Sequence, residues 1–326
     1  MIRGGFGTFA LGDHYVKAQQ TRRTGRGIKA RSAAVTAGAL AMVLGASVAA
    51  SASGGPSASI TDVKPAQQTT AHNLTSFSTN AAQDKVWTFG IDGRDSKGNI
   101  YSYDIKANGF GARHLSGYGM GSAKAFFKNN SNDDADVNVY ALFGSTLRIF
   151  TSSTPDEGKV IGTGWNVYNT FVTPGNLGGA ANPDLLARDG SGNLWLYLSY
   201  GNGTFTTKRK VGPGWNIYSQ IAGRGDLTGD GKPDIVARDG SGVLWLYKGT
   251  GNADAPFAKR TKIGPGWNTY NKILGLGDTS EDGRNDLIAR DGSGNLWLYK
   301  GTGNASGPYA SRVKIGPGWN TYNYLF

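Results

Sequence analysis

Three features of the sequence together predict an all-β fold, a single-chain β-propeller of five four-stranded blades closed by its C-terminal strand. Glycine makes up 51 of the 326 residues, against roughly 7% in average proteins, and tryptophan and tyrosine are plentiful. This composition favours short strands joined by tight turns over helices, which glycine destabilises. The other two features are an internal repeat and a pair of incomplete ends that complement each other.

The repeat is carried by two motifs that recur along the C-terminal three quarters of the chain. The pattern Trp-Asn-x-Tyr begins at Trp165, Trp215, Trp267 and Trp319, at spacings of 50, 52 and 52 residues. The string Ala-Arg-Asp-Gly-Ser-Gly, followed by x-Leu-Trp-Leu-Tyr, begins at Ala187, Ala237 and Ala289. Diverged copies lie at 94–103 and 144–150, which makes five copies in all. A fixed period of this length is typical of propeller blades.

Each repeat contains four segments with the pattern of short strands, as its last copy illustrates. Its segments are an apolar run at 271–277, an acidic loop at 278–286, a second run at 287–290, a Gly-rich turn at 291–294, an alternating strand at 295–300 and a final strand at 311–315. Asp and Gly in the turn supply the local hydrogen bonds and positive φ that a hairpin needs. Four antiparallel strands in one repeat predict a propeller blade.

The ends of the repeat region indicate how the blades close into a ring. The first copy begins at 86–91, which we align with the second strand of other copies, and it lacks a first strand. The last residues, 323–326, align with 271–274, where a first strand begins. The C-terminus can therefore supply the missing strand, so that no blade edge stays unpaired. A linear solenoid would not explain this complementarity.

The N-terminal part of the chain has the composition of an export signal and a linker. A basic region ending at Arg31 precedes an uncharged, Ala-rich run at 33–50 and a small-residue site at 50–52. This pattern favours a cleaved signal peptide at 1–52 over a membrane anchor, because the run is weakly apolar and no basic cluster follows it. Residues 53–85 are rich in Ser, Thr, Ala and Gln, as in flexible linkers. We expect a secreted, extracellular, monomeric propeller at 86–326, with no membrane span in the mature chain.

Composition and charge argue against several functions. The chain has no cysteine and three histidines, at His14, His72 and His114, so neither a zinc–cysteine site nor a Ser-His-Asp triad is indicated. Of the net charge of +11, the first 52 residues carry +6, and the remaining charges of both signs are interspersed. This distribution does not predict a nucleic-acid surface. With no recurring nucleophile–base arrangement, we expect a binding protein and not an enzyme.

Two repeats carry a matched acidic loop with the spacing of a cation site. Oxygen-bearing residues stand at positions 1, 3, 5 and 9, Gly stands at position 6, and position 7 offers its carbonyl. This spacing resembles the first nine positions of an EF-hand loop and predicts calcium binding, although Ala replaces the Glu of position 12. The alternative is a pair of solvated acidic turns. The predicted ligands are Asp226, Thr228, Asp230, Lys232 and Asp234 in one loop and Asp278, Ser280, Asp282, Arg284 and Asp286 in the other, with Lys232 and Arg284 contributing carbonyls.

The acidic loop, the apolar strand that follows it and the period of about 50 residues resemble FG-GAP/VCBS repeats. Such repeats form the propeller of integrin α subunits and occur in many secreted bacterial proteins. The resemblance covers 86–326 and implies calcium in the acidic loops and a role in adhesion or ligand binding. Two loops depart from the family pattern: the one at 176–184 keeps only Asn176 and Asp184, and the one at 129–136 lacks a residue.

Two sets of tryptophans are candidates for ligand contact. The set in the Leu-Trp-Leu-Tyr strands, Trp195, Trp245 and Trp297, is better explained by packing between blades. The set in the Trp-Asn-x-Tyr turns combines a flat ring with a neighbouring amide, as sugar sites do, or else it forms a repeated structural corner. The candidate ligand residues are Trp165, Asn166, Trp215, Asn216, Trp267, Asn268, Trp319 and Asn320. The sequence thus favours a lectin-like module that binds glycans, and a propeller that binds an extracellular protein is the alternative.

Overall fold

The computed structural model describes residues 87–130, 137–179 and 181–326, together with the backbone of residues 8–9. These residues form five antiparallel sheets arranged as the five blades of a propeller, and the described part of the chain contains no α-helix. It also has no helix with the length and apolarity needed to cross a membrane. The predicted signal peptide and linker lie outside the described residues, except for residues 8–9.

Blade I uses strands from both ends of the chain. Its order is β1–β4–β3–β2–β21, where β1 is Thr8–Phe9, β2 is Ile91–Asp95, β3 is Ile100–Lys106, β4 is Gly109–Tyr118 and β21 is Tyr322–Leu325. Strand β1 pairs with the outermost strand β4 and falls within the segment predicted to be a signal peptide. Its pairing leaves the order of the other four strands unchanged.

Blades II to V each consist of four consecutive strands, with the first strand innermost. Blade II contains β5 (Ala123–Asn129), β6 (Asn138–Phe143), β7 (Thr146–Phe150) and β8 (Lys159–Gly162). Blade III contains β9 (Tyr168–Gly175), β10 (Asp184–Asp189), β11 (Leu194–Tyr197) and β12 (Arg209–Gly212). Blade IV contains β13 (Tyr218–Ala222), β14 (Ile235–Asp239), β15 (Leu244–Tyr247) and β16 (Thr261–Gly264). Blade V contains β17 (Tyr270–Gly277), β18 (Asp286–Asp291), β19 (Leu296–Tyr299) and β20 (Val313–Gly316).

The C-terminal strand closes the ring, as the sequence predicts. Strand β21 pairs antiparallel with β2, so that Gly93 faces Leu325 and Arg94 faces Tyr324. Phe326 continues the pairing by exchanging two backbone hydrogen bonds with Asp92, of 2.9 and 3.0 Å. Because β21 occupies the inner position that β9, β13 and β17 hold in their blades, the last residues of the chain complete blade I.

The second strand of blade I lies further along the chain than the sequence analysis placed it. That strand is β2, Ile91–Asp95, whereas we aligned 86–91 with the second strands of the other copies. Residues 87–89 instead run beside blade V, where the Phe89 N–H donates to the Leu276 carbonyl and Thr88 accepts from the Asp278 N–H. The acid that ends β2, Asp95, matches the acid that ends β10 and β18, and this alignment gives the observed register.

The hydrophobic core is divided into five clusters, one between each pair of neighbouring blades. In the second and third strands of each blade, successive side chains point to opposite faces of the sheet. Both faces are buried, as the fully buried neighbours Leu185 and Leu186 show. A blade packed on both faces cannot bury its apolar surface alone, which is why the repeats must stack into a ring. Residues that can contact a ligand must therefore lie on the two faces of the ring, in the turns or on the outer strands.

Candidate functional site

The predicted ligand tryptophans each begin a short 3-10 turn that leads into the innermost strand of the next blade. Their exposed fractions are 6% for Trp165 and 7% for Trp215, Trp267 and Trp319. Each ring packs on tyrosines of the core, for example at 4.7 Å between the ring centroids of Trp267 and Tyr299. A sugar stacks on an open ring face, and these faces are covered. The burial therefore favours the structural-corner interpretation of these four residues.

The asparagines beside these tryptophans are exposed, and they hold the turn against a hairpin of the preceding blade. Asn320 donates from Nδ2 to the Gly292 carbonyl at 3.0 Å, and Asn268 lies against Gly242. The Trp319 N–H donates to the Gly294 carbonyl at 2.9 Å in the same contact. The other two predicted asparagines, Asn166 and Asn216, are also exposed at the surface.

The arginine of the Ala-Arg-Asp-Gly-Ser-Gly motif completes this contact. Arg290 donates from Nη1 to the carbonyls of Trp319 and Tyr322, at 3.0 and 2.9 Å. Arg188 and Arg238 make the same pair of contacts with the turns that follow their blades. The two most regular motifs of the sequence are therefore the two halves of a latch between consecutive blades. The signal for it was present in the sequence, since the arginine precedes its tryptophan by 27 to 29 residues each time.

The first acidic loop is organised by hydrogen bonds from its own backbone. Asp226 accepts from the N–H groups of Thr228, Gly229 and Gly231, at 2.7 to 2.8 Å. Asp230 accepts from the Lys232 N–H at 3.1 Å, and its second oxygen lies 3.2 Å from the Lys248 ammonium. The carboxylates at positions 1 and 5 thus curl the chain as predicted, while Lys248 supplies a positive charge beside one of them.

Position 9 of the first loop is the most strongly perturbed of its carboxyl groups. Asp234 is fully buried and accepts one backbone N–H on each oxygen, from Leu227 and from Gly249, both at 2.9 Å. Burial raises the pKa of Asp234 to about 7, and the neighbouring charges of Asp226 and Asp230 add to the effect. A cation bound between these groups would oppose that shift.

The second acidic loop repeats the arrangement. Asp278 accepts from the N–H groups of Asp282 and Gly283, at 3.0 and 2.7 Å, and Asp282 accepts from the Arg284 N–H at 3.1 Å. Asp286 is buried and accepts from the Thr279 hydroxyl and from the N–H groups of Ser280 and Gly301, at 2.7 to 3.0 Å. Burial raises the pKa of Asp286 to about 6.

The degenerate loop at 176–184 shows which acid of the pattern has a structural role, because it keeps position 9 and lacks the other acids. Its Asp184 accepts from the N–H groups of Gly178, at position 3 of the loop, and of Ser199. Asp286 uses the same two places, whereas Asp234 accepts from position 2, Leu227, in place of position 3. Position 9 therefore closes the loop whether or not the other acids are present. In the degenerate loop at 129–136, residues 131–136 lie outside the described residues.

The two acidic loops fit calcium in the kind of atoms they offer, since every predicted ligand supplies an oxygen. Their arrangement differs from a preformed site: within the described residues, no three acidic or histidine side chains converge as a metal-binding cluster. Backbone N–H groups instead hold the carboxylates. Each carboxylate oxygen can accept more than one partner, so these hydrogen bonds leave acceptor capacity for a cation.

The tryptophans of the Leu-Trp-Leu-Tyr strands are more exposed than the turn tryptophans, and each carries a cation over its ring. The guanidinium of Arg260 lies 4.1 Å from the Trp245 ring centroid, and that of Arg312 lies 4.2 Å from Trp297. The Lys208 ammonium lies 4.4 Å from the Trp195 ring. We call these arrangements the cation–ring sites. They comprise Tyr101 with Arg113, Trp195 with Lys208, Trp245 with Arg260, and Trp297 with Arg312.

Further polar groups lie at the cation–ring site of blade IV. In blade IV, the hydroxyls of Tyr218 and Tyr247 lie 2.6 Å apart, and Arg260 donates to the Tyr218 hydroxyl. Asp239 accepts from the Trp245 indole N–H at 2.8 Å. Although its partial burial acts in the opposite direction, the indole and nearby N–H and hydroxyl donors lower the pKa of Asp239 to about 2. The site therefore presents an aromatic ring, a permanent cation, a carboxylate and two hydroxyls within one blade.

The cation–ring sites are not predicted from the sequence, because packing between blades already explains the strand tryptophans. They do pack there in part, since Trp195, Trp245 and Trp297 border the inter-blade clusters. The missed signal was a basic residue at a fixed position, four residues before the glycine that ends each outer strand, at Lys208, Arg260 and Arg312. Strand pairing brings that position over the tryptophan.

These structural features define a propeller built from repeats with an acidic loop and a following buried strand. Residues 181–237 and 226–289 match the family model described as FG-GAP-like repeat, so this part of the chain consists of FG-GAP-like repeats. No curated protein matches the sequence.

Several solved structures are similar to this chain at low sequence identity and with TM-scores below 0.5. An Agrocybe aegerita lectin, described for specific recognition of non-reducing terminal N-acetylglucosamine, is 16% identical, with a TM-score of 0.42 over 69% of this chain and 61% of that chain. AofleA from Arthrobotrys oligospora is 11% identical, with a TM-score of 0.40 over 71% and 68% of the two chains. Human WBSCR16 is 9% identical, with a TM-score of 0.32 over 70% and 64%. This chain thus spans less than two thirds of the Agrocybe lectin.

Proposed function

We propose that this protein is a multivalent glycan-binding propeller, and that its ligand sites are the cation–ring sites on blades I, III, IV and V. The observation that carries the proposal is the repetition of one arrangement of groups in four blades. In each, an Arg or Lys lies over an aromatic ring. A latch between blades explains the turn motifs, but it does not require a cation over the strand tryptophan.

The chemistry of one site suits a saccharide better than an apolar or a nucleotide ligand. A sugar combines C–H faces that stack on aromatic rings with hydroxyls that pair with charged groups and amides. In blade IV, the partly exposed Trp245 supplies the ring, while Arg260 and the hydroxyl of the partly exposed Tyr247 supply polar partners. Displacing the cation from the ring face removes a cation–π contact worth about 0.5–1 kcal/mol and, for Arg260, its hydrogen bond to the Tyr218 hydroxyl.

The cation also indicates which glycans should bind best. Arg312 has Lys314 beside it near the same ring, with its ammonium 5.9 Å from the Trp297 centroid. Within the described residues, no carboxylate forms an ion pair with either group. A glycan that carries carboxylate or sulfate groups would place its charge against these donors, and a guanidinium can bind such a group through two hydrogen bonds. We therefore expect acidic polysaccharides to bind more tightly than neutral ones.

The test compares variants of two cation–ring sites with a matched surface variant. Arg260→Ala and Arg312→Ala, singly and combined, are measured against immobilised acidic and neutral polysaccharides and on a glycan array. Lys259→Ala is the control, because Lys259 is an exposed basic residue adjacent to Arg260 and has no ring contact among the described residues. Apparent affinity should fall stepwise, with the double variant weakest, because each change removes one of several equivalent sites.

The same experiment can reject the proposal. Binding by the double variant that equals the parent would exclude the cation–ring sites. A protein that binds no glycan on the array, but retains a protein partner from an extracellular extract, would replace glycan binding with the protein-interaction alternative. All variants are first compared with the parent in thermal unfolding, so that a loss of binding is not a loss of folding.

We also propose that calcium stabilises the two acidic loops and that the protein acts outside the cell as a non-catalytic binding module. Support for calcium comes from the oxygen donors of Asp226, Asp230 and Asp234 and their counterparts in the second loop. A cation would neutralise carboxyl groups that burial otherwise destabilises in their charged form. Secretion rests on the N-terminal sequence pattern, and N-terminal sequencing of the exported protein would test cleavage near residue 52.

A further inference from the structure

A half-open cavity of about 90 Å³ lies on the axis of the propeller and is lined by the innermost strands of all five blades. Its wall combines aromatic and aliphatic side chains, among them Phe126, Phe171, Ile221 and Leu274, with at least as much polar surface. This volume exceeds what a single water molecule needs. Small-molecule sites usually combine apolar side chains with a few placed polar groups. The charged groups along the axis show which small molecules suit it.

The charges at one end of the cavity are already compensated. Lys128 is buried, its ammonium lies 3.2 Å from the Asp92 carboxylate, and it donates to the Gly90 carbonyl. Arg224 is 1% exposed, and its guanidinium lies 3.6 Å from the Phe89 ring centroid. It donates to backbone carbonyls and, at 2.8 Å, to the Asn130 side chain. These groups close that end and hold residues 87–90 in place.

Lys272 lies three residues into the inner strand β17, toward the opposite end of the cavity wall. Its ammonium lies 5.1 Å from the ring centroid of Tyr324. Within the described residues it has no hydrogen bond or ion pair to a carboxylate. The corresponding residue of blade IV, Gln220, is by contrast fully engaged, since its side chain bonds to the backbone of Asn271 and Ile273. Lys272 therefore brings a positive charge without a carboxylate partner among the described residues to a cavity whose wall contains aromatic and aliphatic side chains.

From this geometry we propose that the axial cavity is a second ligand site, which takes a small carboxylate with an apolar body. Lys272 binds the carboxylate, and the aromatic and aliphatic wall takes the apolar part. Attraction between the two charges is strong there, because the cavity wall has a low dielectric constant compared with water. The site is independent of the cation–ring sites, which lie on the outer strands.

The electrostatic environment of Lys272 agrees with this assignment. Burial, together with the positive charge of Arg290, lowers the pKa of Lys272 to about 8. The charged ammonium form of Lys272 is thus less stable relative to the neutral amine than it is in water, and a bound carboxylate would stabilise it. Lys272 is still mainly charged at neutral pH.

The test uses three probes of equal length and different charge: hexanoate, 1-hexanol and hexylamine, titrated into the full-length protein by calorimetry. Hexanoate should bind saturably with one site per chain and at least about tenfold more tightly than 1-hexanol, the size of effect expected for a hydrogen bond to a charged group. Hexylamine should not bind. Lys272→Met should weaken hexanoate about tenfold, whereas Lys259→Met, which changes an exposed lysine of the outer loop, should leave it unchanged.

A charge reversal guards against a variant that merely disturbs the cavity. Lys272→Glu should exclude hexanoate and accept hexylamine in its place. Equal binding of hexanoate and 1-hexanol would show an apolar cavity without a preference for anions, and it would overturn the proposal. So would hexanoate binding that survives Lys272→Met, or an absence of saturable binding in a parent protein that unfolds cooperatively.

Discussion

Removal of the last three residues, 324–326, should prevent the ring from closing. Phe326 is 6% exposed and stacks on Phe126 with ring centroids 4.8 Å apart, and Leu325 is 1% exposed. Truncating one buried Phe or Leu side chain costs about 2–5 kcal/mol. The deletion removes both, together with the two backbone hydrogen bonds to Asp92. The expected loss, roughly 5–10 kcal/mol, is comparable to the whole stability of a typical domain.

Urea unfolding and size-exclusion chromatography measure this effect directly. The deletion variant should aggregate or unfold at much lower urea than the parent, because the edge of β2 is left unpaired. Phe326→Ala should lower the free energy of unfolding by about 3–5 kcal/mol. Tyr200→Ala, at an exposed aromatic residue, should change it by less than about 0.5 kcal/mol. A monomeric deletion variant with the urea midpoint of the parent would refute the closure argument.

Four further predictions follow from the site. Trp267→Ala should lower the free energy of unfolding by about 3–5 kcal/mol, because the ring is buried; parent stability with lost glycan binding would show a ligand role instead. Calcium should raise Tm, with Asp230→Ala and Asp282→Ala each removing one bound ion, and a Tm unaffected by chelator would contradict this. Without calcium, the raised pKa of Asp234 means that the folded form holds its proton more tightly. Its contribution to stability is therefore complete below about pH 4 and lost as pH rises to about 7, and denaturation of the Asp234→Asn variant should lack this slope. Glu281→Gly should raise the unfolding free energy by about 1 kcal/mol, since position 281 has φ 59, and an unchanged melting curve would argue against strain there.

Much of the fold could be predicted from the sequence, because the information is local and repeated. Period-two alternation in Leu-Trp-Leu-Tyr specifies a strand, and the Asp-Gly-Ser-Gly turn that precedes it specifies a hairpin. The complementary ends, 86–91 and 323–326, indicated ring closure even though the exact register at the first strand was misplaced. The acidic loops could be predicted equally well, because each is a continuous segment whose conformation follows from the spacing of its oxygen-bearing residues and its glycine.

The roles of the aromatic residues could be decided only by tertiary structure. Two tryptophans of one repeat, Trp267 and Trp297, look alike in sequence, yet the first is buried beneath a turn and the second lies under the guanidinium of Arg312. Burial of a ring depends on which strands meet across a blade, and those contacts join residues far apart in the chain. The position of Lys272 on the propeller axis could not be predicted either, because the strands around it are also far apart in the chain. The role of this lysine depends on the five inner strands that surround it, and among the described residues they give its ammonium no carboxylate partner.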